Sequence, residues 1–314
     1  MFRLCLASLI QLSSISKKPH LVETLLTVII QGQFNNVSAL KLAVICLSRT
    51  QLKVCVSFAK RYVYIIDLLL KPLVVNRHLQ NIIQHPHFYQ LCTNNSPKIS
   101  SIRDAIIELL HSLFHLHPTN TCQITHVDPF VRIYHGTLSL SDLRILSILQ
   151  LFENHRKLSV TSLLSHWSST SNSSSQNSLE ALQSLDPILV LRTCLNFPRW
   201  RCVEDQSTML TSGQDAQLYD PVFVMLLFSQ MLADQPPSSA FAWVELFRTN
   251  IISLFIRVLS SKDGQMRELA LCQVVALWKQ MEVSGIFKRF FETLISKCFL
   301  ARRIAGEASC VIHS

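Results

Sequence analysis

Apolar side chains recur three and four positions apart along most of this chain, with polar residues between them, and this spacing predicts α-helices. The spacing is clearest at residues 241–281, which we interpret as a helical hairpin. Its first arm carries apolar residues at Val244, Phe247, Ile251, Phe255 and Val258. A polar turn follows at 260–264, where Asp263 is predicted to cap the second arm. That arm, 266–278, is apolar around most of its circumference, so it is predicted to pack between layers of other helices.

The second arm resembles the second helix of a HEAT repeat. The residues that carry the resemblance are Asp263, Met266, Arg267, Ala270 and Val274. In that family an Asp and an Arg commonly form polar ladders between stacked repeats, and a small Ala lets neighbouring helices approach closely. An ordinary helical hairpin of a globular bundle remains the alternative, and it predicts the same two helices without lateral neighbours.

Weak helix-breaking signals divide the rest of the chain into a series of predicted helices. In the first half these helices are placed at residues 21–30, 37–47, 54–70, 76–83 and 97–117, with breaks at Lys71-Pro72 and at Pro118. Short connections favour antiparallel helix pairs. Few segments alternate with period two, which argues against a β-sandwich or a nucleotide-binding α/β sheet. The predicted fold is all-α, a HEAT/armadillo-like α-solenoid of antiparallel helix pairs, although no strict internal repeat is visible.

A serine-rich stretch divides the predicted helical parts. Residues 165–184 are too rich in small polar side chains for a stable helix and are predicted to form a flexible loop. Before it lies a basic helical-repeat part at 1–164, and after it a second helical-repeat part at 185–300. Residues 301–314 are predicted to form an irregular tail.

Composition excludes several classes of protein. Hydrophobic residues make up 49% of the 314 residues and charged residues only 16%, which excludes disorder for most of the chain. No segment reaches the ~18 uninterrupted apolar residues that a membrane span requires, so no membrane partner is predicted. The 10 cysteines are scattered without a C-x-x-C pair and are interpreted as small core residues of a protein from a reducing compartment.

Positive charge is concentrated in the first part of the chain. Residues 1–134 carry 13 Lys and Arg against 5 Asp and Glu, whereas residues 135–314 carry 16 against 15. A positive field of this kind attracts nucleic acid or an acidic protein. Lysines that merely keep helix faces in solution remain the simpler interpretation.

One segment is similar to a known family. Residues 134–146 read Tyr-His-Gly-Thr-Leu-Ser-Leu-Ser-Asp-Leu-Arg-Ile-Leu, and together with shorter motifs at 185–187, 196–199, 219–223 and 243–247 they resemble the C-terminal region of the nucleolar pre-ribosomal-associated protein family. Physically, Gly136 permits a tight turn, and Ser139 or Ser141 is predicted to cap the helix that follows.

The resemblance implies a role in early assembly of the large ribosomal subunit, in the nucleus and nucleolus. The implied partners are pre-ribosomal RNA and large-subunit assembly factors. Proteins of the family are much longer than this chain, so we expect a fragment or a short isoform. None of the matching motifs is catalytic.

Basic residues beside aromatic ones are candidate RNA contacts, because cations bind phosphates and aromatic rings stack on bases. The candidates are Lys53, Lys60, Arg61 and Arg77 in the first part, and Arg199, Trp200 and Arg201 in the second. The simpler interpretation of Trp200 is that it fills a gap between helices.

Signatures of catalysis are absent from the sequence. It contains no phosphate-binding glycine loop, no nucleophile elbow and no His-Glu-x-x-His pair, so no enzyme, cofactor or small-molecule substrate is predicted. His111 and His115 lie one helical turn apart and are spaced to hold zinc. No Cys, Asp or Glu completes a ligand set at motif spacing, and a zinc-dependent hydrolase is the least favoured interpretation.

Together these observations favour a non-enzymatic helical scaffold that contacts pre-ribosomal RNA and assembly factors. The alternative is a protein-only adaptor of the same fold, whose grooves bind partner helices without RNA contact.

Overall fold

The computed structural model describes residues 19–56, 70–94, 96–169, 175–203, 215–234 and 236–283. Regular structure in these residues is helical, and the only β-type pairing among them is an isolated antiparallel bridge between Thr137 and Tyr219. The predicted all-α fold class is confirmed for this part of the chain. None of its helices is long and apolar enough to cross a membrane.

The chain forms two compact units. Unit 1 draws on residues 1–176 and 204–220, and unit 2 on residues 177–203 and 221–314. The described helices of unit 1 are α1 (Pro19–Gly32), α2 (Val37–Val56), α3 (Pro72–Ile83), α4 (Phe88–Thr93), α5 (Pro97–Leu116), α6 (Pro118–Thr121), α7 (Val127–Ile133), α8 (Leu140–Arg156) and α9 (Val160–Leu164). The predicted helix at 54–70 lies largely outside the described residues.

Proline marks the start of several helices in unit 1. Pro72, Pro97 and Pro118 each lie in a first turn, where the missing N–H has no partner to lose. Pro118 also ends α5, because a proline inside a helix removes a hydrogen bond and clashes with the preceding turn. The predicted breaks at Pro72 and Pro118 are confirmed.

Helix α5 is the element that most of unit 1 is built on. It packs against both α2 and α8, and α4 also packs on it. Its residues Ile106, Leu109, Leu110 and Leu113 are fully buried, which is the spacing of one helical face. Helix α1 packs on α2 and α3, and α4 packs on α7, so helices close in sequence are also neighbours in space.

Unit 2 is a second helical body with its own core. Its described helices are α10 (Ser178–Gln183), α11 (Pro187–Leu195), α12 (Pro221–Asp234), α13 (Ala240–Arg248), α14 (Ile251–Val258) and α15 (Gly264–Val283). Helix α12 packs against α10, α14 and α15, and α14 also packs against α11 and α13. Between α12 and α14 the rings of Phe228 and Phe255 meet edge to face, with centroids 4.5 Å apart.

The hairpin predicted at residues 241–281 has a broken first arm. Helix α13 ends at Arg248 and α14 begins at Ile251. Between them Asn250 takes a φ of 64°, a left-handed conformation that Asn tolerates better than most residues. Its side-chain amide donates to the carbonyl oxygen of Pro187 at 3.1 Å. The prediction of one continuous arm is wrong because the apolar spacing runs on through a residue whose backbone leaves the helix.

The second arm forms α15. Asp263 caps it as predicted, since its Oδ1 accepts the N–H of Gln265 at 3.1 Å. The buried face of α15 consists of Met266, Ala270, Gln273, Leu277 and Met281. On another face Leu271 is 54% exposed and Val275 is 44% exposed. Within the described residues α15 therefore buries one side, and the prediction that it is enclosed between layers is not met there.

The segment 165–184, predicted as a flexible loop, is anchored at both ends of its described part. Trp167 is 1% exposed, and its Nε1–H donates to the carbonyl oxygen of Tyr134 at 2.7 Å. Helix α10 occupies 178–183, with the side chain of Asn177 capping its first turn. The structure differs from the loop prediction here. Composition averages over the whole segment, so it does not show that one residue, Trp167, is buried and holds the chain in place.

Candidate nucleic-acid interface

The segment 134–146, which carries the family resemblance, forms the connection between α7 and α8 and the first turns of α8. Gly136 has a φ of 69°, where a side chain would be strained. The Ser139 Oγ accepts the N–H of Asp142 at 3.2 Å and so caps α8. The predicted turn at Gly136 is confirmed, and of the two predicted caps, Ser139 and Ser141, the structure uses Ser139.

A buried ion pair ties this segment to α5. A terminal nitrogen of Arg103 lies 2.5 Å from Oδ1 of Asp142, and the same guanidinium donates to Ser141 Oγ at 2.7 Å and to the Ile133 carbonyl at 3.1 Å. Burial alone would raise the pKa of Asp142. The Arg103 charge and a hydrogen bond from Thr137 outweigh it, and the pKa lies below its ordinary value. Asp142 is therefore a carboxylate that joins α8 to α5.

Tyr219 and Asp220, the first two residues of a second family motif, meet the same connection. The Leu138 N–H donates to the Leu218 carbonyl at 2.9 Å, and the Asp220 N–H donates to the Gly136 carbonyl at 2.8 Å. The two stretches therefore pair through their backbones. Both motifs serve the fold of unit 1 through these bonds.

Sequence reasoning missed the ion pair between Arg103 and Asp142. The sequence does carry a signal for this pair. Arg103 lies three residues before Ile106 and seven before Leu110, so it is on the same helical face as these two buried residues. An arginine on the apolar face of a helix requires a buried partner, because an unpaired charge there is very costly.

Among the RNA contacts predicted in the first part of the chain, the structure describes the Arg77 side chain. Lys60 and Arg61 lie outside the described residues, as does the side chain of Lys53. The Arg77 side chain is 62% exposed, and its guanidinium lies 3.9 Å from a carboxylate oxygen of Glu23. Because an exposed pair of this kind is weak, Arg77 remains accessible to another anion.

The predicted triplet Arg199-Trp200-Arg201 is divided by the fold. Arg199 is exposed and Trp200 is half-buried. Arg201 is only 1% exposed, and its guanidinium donates to the carbonyl oxygen of Cys202. Arg201 is therefore not placed to contact a phosphate, because neighbouring residues in a turn direct their side chains differently.

The turn at 260–264 brings two further cations to Arg199. The Lys262 N–H donates to the Arg199 carbonyl at 3.3 Å, and Arg267 donates to the carbonyls of Ser261 at 2.8 Å and Lys262 at 2.9 Å. We call Arg199, Lys262 and Arg267 the basic cluster. All three are exposed, and none forms an ion pair within the described residues. Clustered positive charge attracts anions, so the basic cluster is the candidate interface of unit 2.

Asp263 lies beside the basic cluster but is held by backbone groups. Its Oδ2 accepts the N–H of Val203 at 2.9 Å, and its Oδ1 accepts that of Gln265. Asp263 and Arg267 thus both bond backbone groups of unit 2, and the described contacts do not include the ladder between repeats that the HEAT resemblance implies.

His111 and His115, the candidate zinc pair, pack ring against ring with centroids 4.0 Å apart. The Nδ1–H of His115 donates to the carbonyl oxygen of His111 at 2.8 Å. Burial, together with the nearby His115 and Arg144, lowers the pKa of His111 to about 3. Among the described residues no group of three His, Cys, Asp or Glu side chains is placed to hold a metal ion.

Comparison with known proteins agrees with the family resemblance. The chain is 26% identical over 205 residues to nucleolar pre-ribosomal-associated protein 1 of Mus musculus and 24% identical over 203 residues to the protein of the same name in Homo sapiens. Each match covers 58% of this chain but only 9% of the relative. No family profile matches the chain, and no solved structure matches it. The suspected relationship to these proteins is thereby confirmed as sequence similarity.

Proposed function

We propose that this chain is a segment of a nucleolar pre-ribosomal-associated protein and acts as a non-enzymatic helical scaffold in early assembly of the large ribosomal subunit. The observation that carries this function is the similarity to two relatives whose names place them in the nucleolus and on pre-ribosomes. The corresponding location is the nucleus and nucleolus. Since the chain matches only 9% of the length of those relatives, the proposed function is that of one part of such a protein.

A HEAT/armadillo-like arrangement suits this role. Helix α5 packs between α2 and α8 in sequence order, while α1 packs on α3 and α4 on α7, as expected for successive helix pairs laid side by side. Such an arrangement presents an extended surface for partners. The repeat interpretation is supported by this order of contacts in unit 1.

RNA contact is the second part of the proposal. In unit 2 the basic cluster offers three exposed cations on adjoining backbone, with Trp200 next to Arg199 in the chain. Lys60, Arg61, Arg77 and the side chain of Lys53 remain proposed contacts in the first part. Arg201 is left out of the proposed contacts because it is buried.

Binding of the full chain to a pre-ribosomal RNA fragment, measured across a salt series, tests the RNA contact. We expect affinity to fall with salt, because each phosphate that a cation neutralises releases counterions. Changing Arg199, Lys262 and Arg267 together to alanine is expected to reduce the slope of log affinity against log salt by about 0.7 to 0.9 for each phosphate that is no longer neutralised. Changing Lys60, Arg61 and Arg77 to alanine is expected to act in the same direction.

The matched control is Arg248→Ala. Arg248 is also exposed in unit 2, but it pairs with Glu245 at 3.0 Å and lies outside the basic cluster. We expect this change to leave the slope unaltered. Affinity that does not depend on salt, or a control that behaves like the cluster variant, refutes the RNA contact.

A protein-only adaptor is the second candidate function. On α11 the apolar side chains of Ile188, Leu191 and Leu195 are exposed at positions i, i+3 and i+7, the spacing by which a helix face binds another helix. Pull-downs from nucleolar extract with and without nuclease separate the two functions. Partners that survive nuclease and are lost with Ile188→Ser and Leu195→Ser favour the adaptor.

A further inference from the structure

A polar cavity of about 600 Å³ lies in unit 1, where the connection from α1 to α2 meets the connection from α3 to α4. Its volume is in the range of small-molecule sites, about 300 to 1,000 Å³. The polar residues that line it are Gln31, Gln33, Asn35, Asn36, Ser38, His85 and His87. Among the described residues no Asp, Glu, Lys or Arg lines it, so its polar character comes from amide and imidazole groups and the hydroxyl of Ser38.

One wall of the cavity is an aromatic surface held in place by the fold. The ring of His85 stacks on the buried Phe34, with centroids 4.0 Å apart and an interplanar angle of 28°. Its Nδ1 accepts the backbone N–H of His87 at 3.3 Å. The exposed ring of His87 follows at a centroid distance of 5.6 Å. The imidazole rings of His85 and His87 therefore lie next to each other in the structure.

The amide side chains complement this wall. Oδ1 of Asn36 accepts two backbone N–H groups at the start of α2, and its Nδ2 donates to Oε1 of Gln33 at 3.2 Å. This bond orients Gln33 with its own NH₂ group left to donate. Within the described residues the side chains of Gln31 and Asn35 form no hydrogen bond, so each offers both a donor and an acceptor.

We propose that this cavity binds an unpaired nucleobase of single-stranded RNA, with His87 stacking on the base and Asn35 and Gln33 bonding its edge. A base needs an aromatic face together with donors and acceptors in its plane, and this combination is found here. The lining without Lys or Arg suits a base and not a phosphate. The inference rests on the proposed RNA contact and adds recognition of bases, which the basic cluster does not provide.

The test compares two RNA oligonucleotides of equal length and charge, one with normal bases and one with abasic sites, bound to the full chain at fixed salt. We expect the normal oligonucleotide to bind about fivefold more tightly or better, in line with the contribution of one stacked base. His87→Ala and Asn35→Ala are each expected to remove most of this difference. Both residues are exposed, so the variants are expected to fold.

Gln80→Ala is the matched control, because Gln80 is an exposed amide on α3 that does not line the cavity. We expect it to preserve the difference. Equal affinity for both oligonucleotides, with binding that still weakens with salt, overturns the base site and leaves the RNA contact standing. Absence of any RNA binding refutes both. Crosslinks from 4-thiouridine in the bound RNA are expected at residues 31–38 and 85–87, and crosslinks found only elsewhere overturn the base site.

Discussion

Replacing Asp142 with alanine tests whether the buried ion pair holds α8 to α5. The substitution leaves the guanidinium of Arg103 buried without its charge partner, which costs about 3 to 5 kcal/mol in comparable pairs. Thr137 also loses the acceptor of its backbone N–H, at 2.9 Å, and of its hydroxyl. Because these effects overlap, we expect the free energy of unfolding to fall by about 4 kcal/mol in total. That is a large share of the roughly 5 to 15 kcal/mol typical of a folded domain.

The double variant Arg103→Met with Asp142→Leu separates the cost of an orphaned charge from loss of packing. It buries neither charge, so we expect it to be more stable than Asp142→Ala by about 2 kcal/mol. Asp128→Ala is the surface control. Asp128 pairs with Arg132 at 3.0 Å on the exposed side of α7, and its loss is expected to cost only about 0.3 to 0.5 kcal/mol.

Urea unfolding followed by circular dichroism measures these differences, and hydrogen exchange of the amides at 134–142 locates them. We expect faster exchange there in Asp142→Ala and unchanged exchange in Asp128→Ala. If Asp142→Ala costs no more than the surface control, or if the double variant is the less stable of the two, the ion pair does not hold unit 1 together as reasoned here.

The lowered pKa of Asp142 also makes the stability of the protein depend on pH. Its folded pKa is lowered, so the stability that it contributes is fully present above the ordinary pKa near 4 and is lost as the pH falls through the folded value. Asp142→Asn is therefore expected to flatten the decline in stability below pH ~4. An unchanged acid profile in the variant contradicts the assignment of a buried carboxylate.

Three further changes test local features of the fold. Asn250→Val is expected to cost about 1 to 2 kcal/mol more than Asn250→Gly in urea unfolding, because a branched side chain is strained at a positive φ. Both variants lose the bond to the Pro187 carbonyl, so equal losses refute the assigned conformation. Asp263→Ala is expected to lower stability by about 1 to 2 kcal/mol through loss of the bonds from the N–H groups of Gln265 and Val203, and thermal unfolding without a decrease refutes it. Lowering the pH from about 6.5 to about 4 is expected to destabilise the protein, because unfolded His111 takes up a proton that the folded residue, with a pKa of about 3, does not. His111→Phe is expected to reduce the slope of the unfolding free energy against pH by the equivalent of up to one proton. An unaltered slope in urea titrations across this pH range contradicts the prediction.

The candidate interface of unit 2 could be predicted only in part from local sequence. Of the predicted triplet Arg199-Trp200-Arg201, only Arg199 and Trp200 have exposed surface. The sequence pattern places Lys262 in the hairpin turn and Arg267 in the second arm, and it predicts neither as part of a binding surface. Their position beside Arg199 depends on a backbone bond between residues 63 positions apart in the chain, and no local pattern carries that information.

The sequence by itself determined the features that depend on neighbouring residues. Helical spacing of apolar residues established the all-α class, and short-range chemistry established the turn at Gly136 and the cap by Asp263. It also predicted a cap by Ser139 or Ser141, of which the structure uses Ser139. These follow from bonds that close within a few residues, so their signals lie side by side in the chain.

The tertiary structure alone decided which polar groups are buried and which charges are adjacent. It placed Arg103 in contact with Asp142, which is 39 residues away in the chain, and it buried Arg201. It also ended α13 at Arg248 and placed Asn250 outside the helix, although the apolar spacing continues. The physical reason is that burial and ion pairing are settled by what packs against a residue, and its packing partners come from distant parts of the chain.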